Sequence, residues 1–523
     1  MLARENLLPN AVARWAADAP DTVAIEYVDG PRLTYAELHE TGLRWAAALA
    51  QVGVHRGVHV ATMVSNALVP HCAMLGIGWT GAVEVPLNTA YRGDTLRHAL
   101  TLTDVSVIVC SEEFVPVLAE QAADLPLLRT VVVVDGTAAD GTFPCRVVPG
   151  DEFLAGVAPA EGLPGPEYHE TSTLLLTSGT TGPSKAVVLP WAGVFQMWSW
   201  VPSDALLPGE GLFIAMPLFH NSGRSGFNSC MARGGRYVTR PKFSGTTFWS
   251  DVRGTGCVVA ALVGPMTHLV YAAPPQPDDA DNPLRAVILG PMIPEMADFE
   301  QRFGVKVATC YGQTEIGAPL TTGWDHGPTA GCGRPRDTYP WTECEIVNEL
   351  DEPVPPGEVG ELVVRTREPW SLNAGYYNMP EATADAWRNG WFHTGDAFRV
   401  DEDGWYYFVD RMRDTIRRRG ENISSFEVEN AVVQFPGVVE CAAVGMRTNL
   451  GDDEVFVGVI VHDPDAFDPA ALCEFLADRI ATFMVPRYVE VMDDFPRNAT
   501  TGRVRKHEMR ARGITDDTWD RLA

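Results

Sequence analysis

Short apolar strands recur along the first three-fifths of the chain, each preceded by a helical stretch and a turn, and this rhythm restricts the fold to parallel sheets covered by helices. The strand signals fall at residues 59–64, 105–110, 129–134, 173–176, 286–289 and 305–310. One helix start is explicit: Thr34 and Glu37 form a capping box, and Gly53 marks the end of the helix it opens. Parallel sheets of this kind collect ligand chemistry on loops at the carboxyl ends of their strands. After about residue 340 the character changes. Strand signals at 343–347, 360–364 and 405–409 alternate with Pro and Gly clusters, which predicts a β-rich subdomain over about 340–410. Beyond Asp410 a smaller α+β unit is expected, with a helix over 426–435 that sets Val428, Ala431, Val432 and Phe435 on one face.

The 523 residues carry 40 Lys and Arg against 68 Asp and Glu, a net charge of −28. About three globular units fit that length. Binding to nucleic acid by phosphate neutralisation is not expected of such an acidic chain. Glu5 and Asn6 interrupt any secretory leader, and apolar runs end long before the ~20 residues a membrane span needs. The ten cysteines contain no Cys-x-x-Cys pair, which predicts reduced thiols in a cytoplasmic protein.

The stretch from Leu174 to Val188 reads as an apolar strand, the loop Thr177-Ser-Gly-Thr-Thr-Gly-Pro-Ser-Lys185, and a second apolar strand. Its glycines allow backbone amides to approach a ligand, its hydroxyls add donors and Lys185 adds a positive charge, so the loop suits a polyphosphate. It is not a Walker loop, because Gly182 and Lys185 are spaced differently and a strand follows in place of a helix. No Gly-x-Gly-x-x-Gly occurs to support a dinucleotide-binding turn.

Further motifs follow in order: Pro217-Leu-Phe-His220, Tyr311-Gly-Gln-Thr-Glu315, His393-Thr-Gly-Asp396 and Asp410-Arg-Met-Arg-Asp-Thr-Ile-Arg-Arg-Arg-Gly420. Together with the Ser/Thr/Gly loop, they make essentially the whole chain resemble the adenylate-forming superfamily of acyl-CoA synthetases, luciferases and peptide-synthetase adenylation domains. Within it the chain is most similar to carnitine-type and medium-chain acyl-CoA ligases. The resemblance implies an α/β fold: a large N-terminal domain, 1–410, of two parallel-type sheets with helices plus the β-rich subdomain, and a small mobile α+β C-terminal domain, 411–523. It implies ATP, Mg²⁺ and CoA, with either a monomer or a homodimer.

By the same resemblance, Thr177, Ser178, Gly179, Thr180, Thr181, Gly182 and Lys185 cradle the β- and γ-phosphates. Tyr311 and Gly312 border the adenine, Thr314 reaches the α-phosphate and Glu315 the Mg²⁺. Asp396 takes the ribose hydroxyls with Arg411 beside it, and His220 sits at the acyl pocket. Arg413 is the hinge about which the C-terminal domain turns between half-reactions. Gly420 lets the backbone approach pantetheine, and Arg417 to Arg419 either meet CoA phosphates or form a solvated face.

The family's adenylation lysine lies in Gly-Lys-x-x-Lys/Arg, where this chain has Gly502-Arg503-Val-Arg-Lys506. Arginine keeps the charge but replaces a compact ammonium by a planar fork. Three readings stand: Arg503 does the work, Lys506 reaches in from a shifted loop, or an unusual small anion makes the lysine dispensable. In the acid pocket, Met266 and Gly290 are expected on the walls. Arg224 is either a partner for a second anionic group or a structural ion-pair residue. The polar run 221–228 favours a small or medium polar acid over a long fatty acid. The expected activity is ATP-dependent acid–CoA ligation. The alternatives are transfer to a separate carrier protein, nitrite adenylation for delivery to an aromatic amine, and a weakened nucleotide-binding switch.

Overall fold

A computed structural model describes residues 3–65, 68–177, 184–290, 295–325, 327–328, 331–336, 341–411, 414, 416–418, 421–447, 453–477, 479–480, 482–497 and 502–523. The helix–strand rhythm builds two large sheets. A seven-stranded sheet runs in the order Arg146–Pro149, Thr130–Val133, Val107–Cys110, His59–Met63, Val83–Pro86, Thr171–Thr177 and Lys185–Pro190. All of its pairings are parallel except the last, an antiparallel hairpin. A nine-stranded sheet has a parallel centre of Val23–Tyr27, Arg236–Thr239, Gly211–Phe213, Cys257–Val263, Ala286–Gly290 and Lys306–Gln313. Antiparallel strands complete both of its edges.

One core joins the two sheets. Val60, Val107 and Val132 from the first pack with Leu212, Val259, Ile288 and Ala308 from the second. The helix Leu68–Thr80 belongs to that core and is buried on every side from Pro70 to Trp79, as a helix enclosed between sheets must be. Gly76 is the point of closest approach, where any side chain would run into Trp45 of the neighbouring helix Tyr35–Gln51. That neighbour carries the predicted capping box, with Glu37 N donating to Thr34 Oγ1 at 3.3 Å and Thr34 N to Glu37 Oε2 at 2.8 Å.

The β-rich subdomain is a five-stranded antiparallel sheet of Thr342–Val347, Gly360–Thr366, Trp387–Arg388, Trp391–Val400 and Tyr406–Arg411. The C-terminal unit packs helices Ser425–Val432 and Pro469–Ala477 on a mixed sheet of Val438–Arg447, Asp453–Val461, Tyr488–Val491 and Trp519–Asp520. The helix expected over 426–435 ends three residues early, since Pro436 disfavours helical geometry in the residue before it. Phe435 still packs on the same core. Among the described residues no helix is long and apolar enough to cross a membrane.

Candidate nucleotide and acid site

The hairpin between the two apolar strands sets Thr177 directly opposite Lys185, so both stand where the Ser/Thr/Gly loop leaves the sheet. Ser178, Gly179, Thr180, Thr181 and Gly182 lie outside the described residues. The Lys185 ammonium sits 4.5 Å from the centre of the Tyr376 ring, a cation–π contact.

Strand Lys306–Gln313 delivers Tyr311 and Gly312, and the turn beyond it carries Thr314 and Glu315. Gly312 is fixed by packing as well as by any ligand, because a side chain there would collide with the Gly317 carbonyl on the returning strand. Glu315 accepts from the Tyr376 hydroxyl at 3.1 Å, while its backbone carbonyl accepts from Asn373 N at 3.0 Å and Asn373 Nδ2 at 2.9 Å. Burial pushes the Glu315 carboxyl up, opposed by the Tyr376 hydroxyl and by the charges of Arg411 and Lys185. Among the described residues no group of three or more His, Cys, Asp or Glu is placed to hold a metal ion alone. A single carboxylate such as Glu315, with Lys185 in electrostatic reach, fits Mg²⁺, which takes one or two carboxylates plus phosphate oxygens and water.

Asp396 does not lie in a simple turn. It belongs to strand Trp391–Val400, and the pairing with Gly360–Thr366 slips there, leaving Thr394, Gly395 and Asp396 as a bulge at Gly395, whose φ is +69°. A bulge re-aims a side chain, and here it turns Asp396 toward Tyr311. The Tyr311 hydroxyl donates to Asp396 Oδ2 at 2.7 Å and Gln313 Nε2 donates to the same oxygen at 2.9 Å. Arg411, directly across the next strand pair, brings Nε to 3.0 Å from Oδ1. Glu361 secures the bulge from below, accepting from Gly395 N at 2.8 Å and contacting His393 Nδ1 at 2.9 Å. Asp396 is 1% exposed.

The two cations near the C-terminus are separated by the fold. Arg503 is exposed on the loop before Lys506 yet within electrostatic reach of Arg411 and Asp396: burial, then the Arg411 charge, lowers its affinity for a proton, with Asp396 opposing. Lys506 instead opens helix Lys506–Arg512, with Nζ 2.8 Å from Glu429 Oε1 and 2.5 Å from Ser425 Oγ. The same helix is tied down by Arg510 to Asp414 at 2.7 Å and Arg512 to Glu490 at 2.5 Å. The Lys506 ammonium is thus engaged by Glu429 inside its own unit, which favours the Arg503 reading over one in which Lys506 reaches in from a shifted loop. Arg413 and Gly420 lie outside the described residues. Of the three adjacent arginines, Arg418 is internal, paired with Glu454 at 2.6 Å and donating to the Phe483 carbonyl at 2.7 Å.

His220 precedes helix Asn221–Ala232, and burial lowers its proton affinity, favouring the neutral imidazole. Phe219 packs edge-on against it, ring centres 4.8 Å apart. Met266 touches cores on both faces of the nine-stranded sheet. A side chain at Gly290 would enter open space at the carboxyl end of its strand. Of the two readings of Arg224, the contacts favour the structural ion pair over the pocket residue: 1% exposed, it pairs with Glu84 of the seven-stranded sheet at 2.8 Å and contacts Met74 Sδ at 3.0 Å. The cysteines Cys72, Cys110 and Cys310 are pushed by burial to about 12, too high to act as nucleophiles near neutral pH.

Sequence reasoning assigned no role to Tyr376, Asn373, Gln313 or Glu361. Gln313 lay inside a recognised motif, and the other three hold motif residues from segments whose own patterns carry no chemical signature.

The family model for AMP-binding enzyme matches residues 12–377, and that for the AMP-binding enzyme C-terminal domain matches residues 427–501. A crotonobetaine/carnitine–CoA ligase of Salmonella paratyphi B is 30% identical over 492 residues, covering 91% of this chain and 93% of that protein. ATP-bound MatB from Rhodopseudomonas palustris superposes with a TM-score of 0.81 at 25% identity, over 96% of this chain and 98% of that one. O-succinylbenzoate CoA synthetase from Bacillus subtilis, in complex with its acyl-adenylate, shares the fold with a TM-score of 0.81 at 24% identity, over 96% and 98% of the two chains.

Proposed function

We propose that this chain, which belongs to the AMP-binding enzyme family, joins a carboxylic acid to the α-phosphorus of ATP with release of pyrophosphate, and then transfers the acyl group to CoA. The cluster of Asp396 with Tyr311 and Arg411, with Arg503 in electrostatic reach of it and Arg411 and Lys185 in reach of Glu315, carries this reading. Two anions must meet in the first step, so positioning and charge neutralisation supply the catalysis.

Asp396, held by Tyr311 and Gln313, accepts the ribose hydroxyls, with Arg411 beside it. Tyr311 and Gly312 border the adenine, Thr314 reaches the α-phosphate, and Thr177 with Lys185 and the loop between them takes the β- and γ-phosphates. Glu315 holds Mg²⁺, which supplies neutralisation of the phosphate charge when bound. A carboxylate oxygen of the acid forms a bond to the α-phosphorus as the bond to pyrophosphate breaks. Arg503 offsets the negative charge shared by the acid and the α-phosphate. The C-terminal unit, 411–523, then turns about Arg413, the thiol sulfur of CoA bonds to the acyl carbon, and AMP leaves with the carboxyl oxygen it gained.

The substrate is a small or medium acid with polar character, admitted between neutral His220, Met266 and Gly290. Relatives named for carnitine, O-succinylbenzoate and anthranilate activation support that range and favour CoA over nitrite chemistry or a carrier protein. Ten unpaired thiols support a cytoplasmic setting. Pyrophosphate release measured over a panel of acids and nitrite, with and without CoA, tests the proposal. The expected result is acid-dependent release and an acyl-CoA product; release driven by nitrite, or adenylation that never yields a thioester, overturns it.

A further inference from the structure

We infer that Tyr376 is a positioning residue for the phosphate site, holding the Lys185 ammonium on its ring face and the Glu315 carboxylate on its hydroxyl, so that the two charges stand close without cancelling each other. The inference rests on the nucleotide reading above and deepens it. The two contacts are the 4.5 Å approach of Lys185 Nζ to the ring centre and the 3.1 Å hydrogen bond from the hydroxyl to Glu315 Oε1. Lys185 and Glu315 come from different sheets, and each lies within the electrostatic reach of the other.

An ammonium and a carboxylate within electrostatic reach can pair directly, and a paired lysine offers little net charge to a phosphate. The ring face attracts the cation through its quadrupole without neutralising it. The hydroxyl meanwhile gives one Glu315 oxygen a neutral donor in place of the ammonium. Tyr376 therefore separates the pair while fixing both members.

The backbone around Tyr376 is built to keep that geometry. Residues 374–377 run along the open edge of strand Lys185–Pro190: Ala374 N donates to the Val188 carbonyl at 2.9 Å, Val188 N to Gly375 at 3.0 Å, and Tyr377 N to Ala186 at 2.8 Å. Tyr376 bridges to Val187, and its own N–H bonds to Thr383 Oγ1 at 2.9 Å. Its ring packs with Leu175, Val187, Leu189 and Val194. One residue upstream of this edge strap, Asn373 grips the Glu315 carbonyl with two donors while its own side-chain oxygen takes Gly375 N at 2.8 Å and Trp387 Nε1 at 3.1 Å. The strap thus locks the lysine strand to the turn that carries the carboxylate.

Two variants of the full-length enzyme divide the roles. Tyr376→Phe keeps the ring and deletes the hydroxyl; Tyr376→Leu deletes both but keeps an apolar side chain in the pocket. Binding of α,β-methylene-ATP measured calorimetrically in EDTA reads the lysine arm, and Mn²⁺ binding to the nucleotide complex, followed by electron paramagnetic resonance, reads the carboxylate arm. Tyr376→Phe is expected to weaken Mn²⁺ binding about tenfold and leave nucleotide binding in EDTA unchanged. Tyr376→Leu is expected to weaken both, nucleotide binding by about threefold to tenfold. Wild-type values for Mn²⁺ in Tyr376→Phe overturn the inference, as do equal losses of both affinities in both variants alongside a lowered melting temperature. If the wild-type protein binds no ATP analogue at all, the functional reading fails first and the inference with it.

Discussion

Arg503→Ala lowers formation of the acyl-adenylate by about 10²–10³-fold, the usual loss when one charge-stabilising donor is removed from a transition state, and leaves thioester formation from a supplied acyl-adenylate and CoA within a few-fold of wild type. The expectation follows from where the fold puts the two candidate cations. Arg503 lies within electrostatic reach of Asp396 and Arg411, while Lys506 is engaged by Glu429 and Ser425. On the proposed mechanism the first half-reaction therefore draws on Arg503. Arg503→Lys separates charge from shape: the ammonium keeps the charge but gives up the planar fork and its paired donors, and we expect an intermediate loss of about tenfold. Lys506→Ala leaves Glu429 in a poorly solvated setting without its cation, so it should lower the urea midpoint of the C-terminal unit, and its activity should fall only with the folded fraction. ATP–pyrophosphate exchange at matched folded protein is the deciding measurement. Unchanged exchange in Arg503→Ala together with its loss in Lys506→Ala would return the adenylation role to Lys506.

The sheet architecture was legible because burial on both faces forces near-continuous apolar strands, and each of the quoted strand signals falls on an observed strand to within three residues at either end. The proposed nucleotide residues were assigned on a different ground. A phosphate loop, a metal carboxylate and a ribose carboxylate each need particular residue types, and the ordered motifs carry the resemblance that assigns them. What could not be read was how those residues are held. The bulge that turns Asp396 toward Tyr311 is a property of the pairing between two separate strands, with Glu361 bonding Gly395 across it over 34 positions. Tyr376 reaches Glu315 across 61 positions. Such contacts leave no local period, since they depend on which strands the topology sets side by side. The gap of only three residues between Arg503 and Lys506 hid the same thing: a helix begins at Lys506 and turns its side chain inward, leaving Arg503 on the loop.

Arg224→Met is expected to destabilise the N-terminal region by about 3–5 kcal/mol, because it strands the Glu84 carboxylate in the core. The pair is 2.8 Å apart, with side chains 2% and 5% exposed, and it joins the helix after His220 to the first sheet. Glu84 also accepts from Thr62 Oγ1 at 2.8 Å and its backbone carbonyl accepts from Thr173 Oγ1 at 2.9 Å, so it cannot move out toward water without breaking the sheet's own contacts. The cost therefore comes from an uncompensated charge and not from lost volume, which methionine largely retains. The double variant Arg224→Met/Glu84→Gln removes the charge and keeps an acceptor for Thr62, and should recover most of the loss, since a buried pair replaced as a unit is often close to neutral. Urea midpoints of the wild type, both single variants and the double variant measure the coupling. A pocket residue that recognises a second anionic group on the acid would behave otherwise: Arg224→Met would raise KM for the acid with stability intact, and Glu84→Gln would restore nothing. Because the helix that Arg224 anchors begins immediately after His220, the structural reading also predicts that KM for every acid rises in the same proportion as the helix loosens, whereas recognition by charge would penalise only diacids.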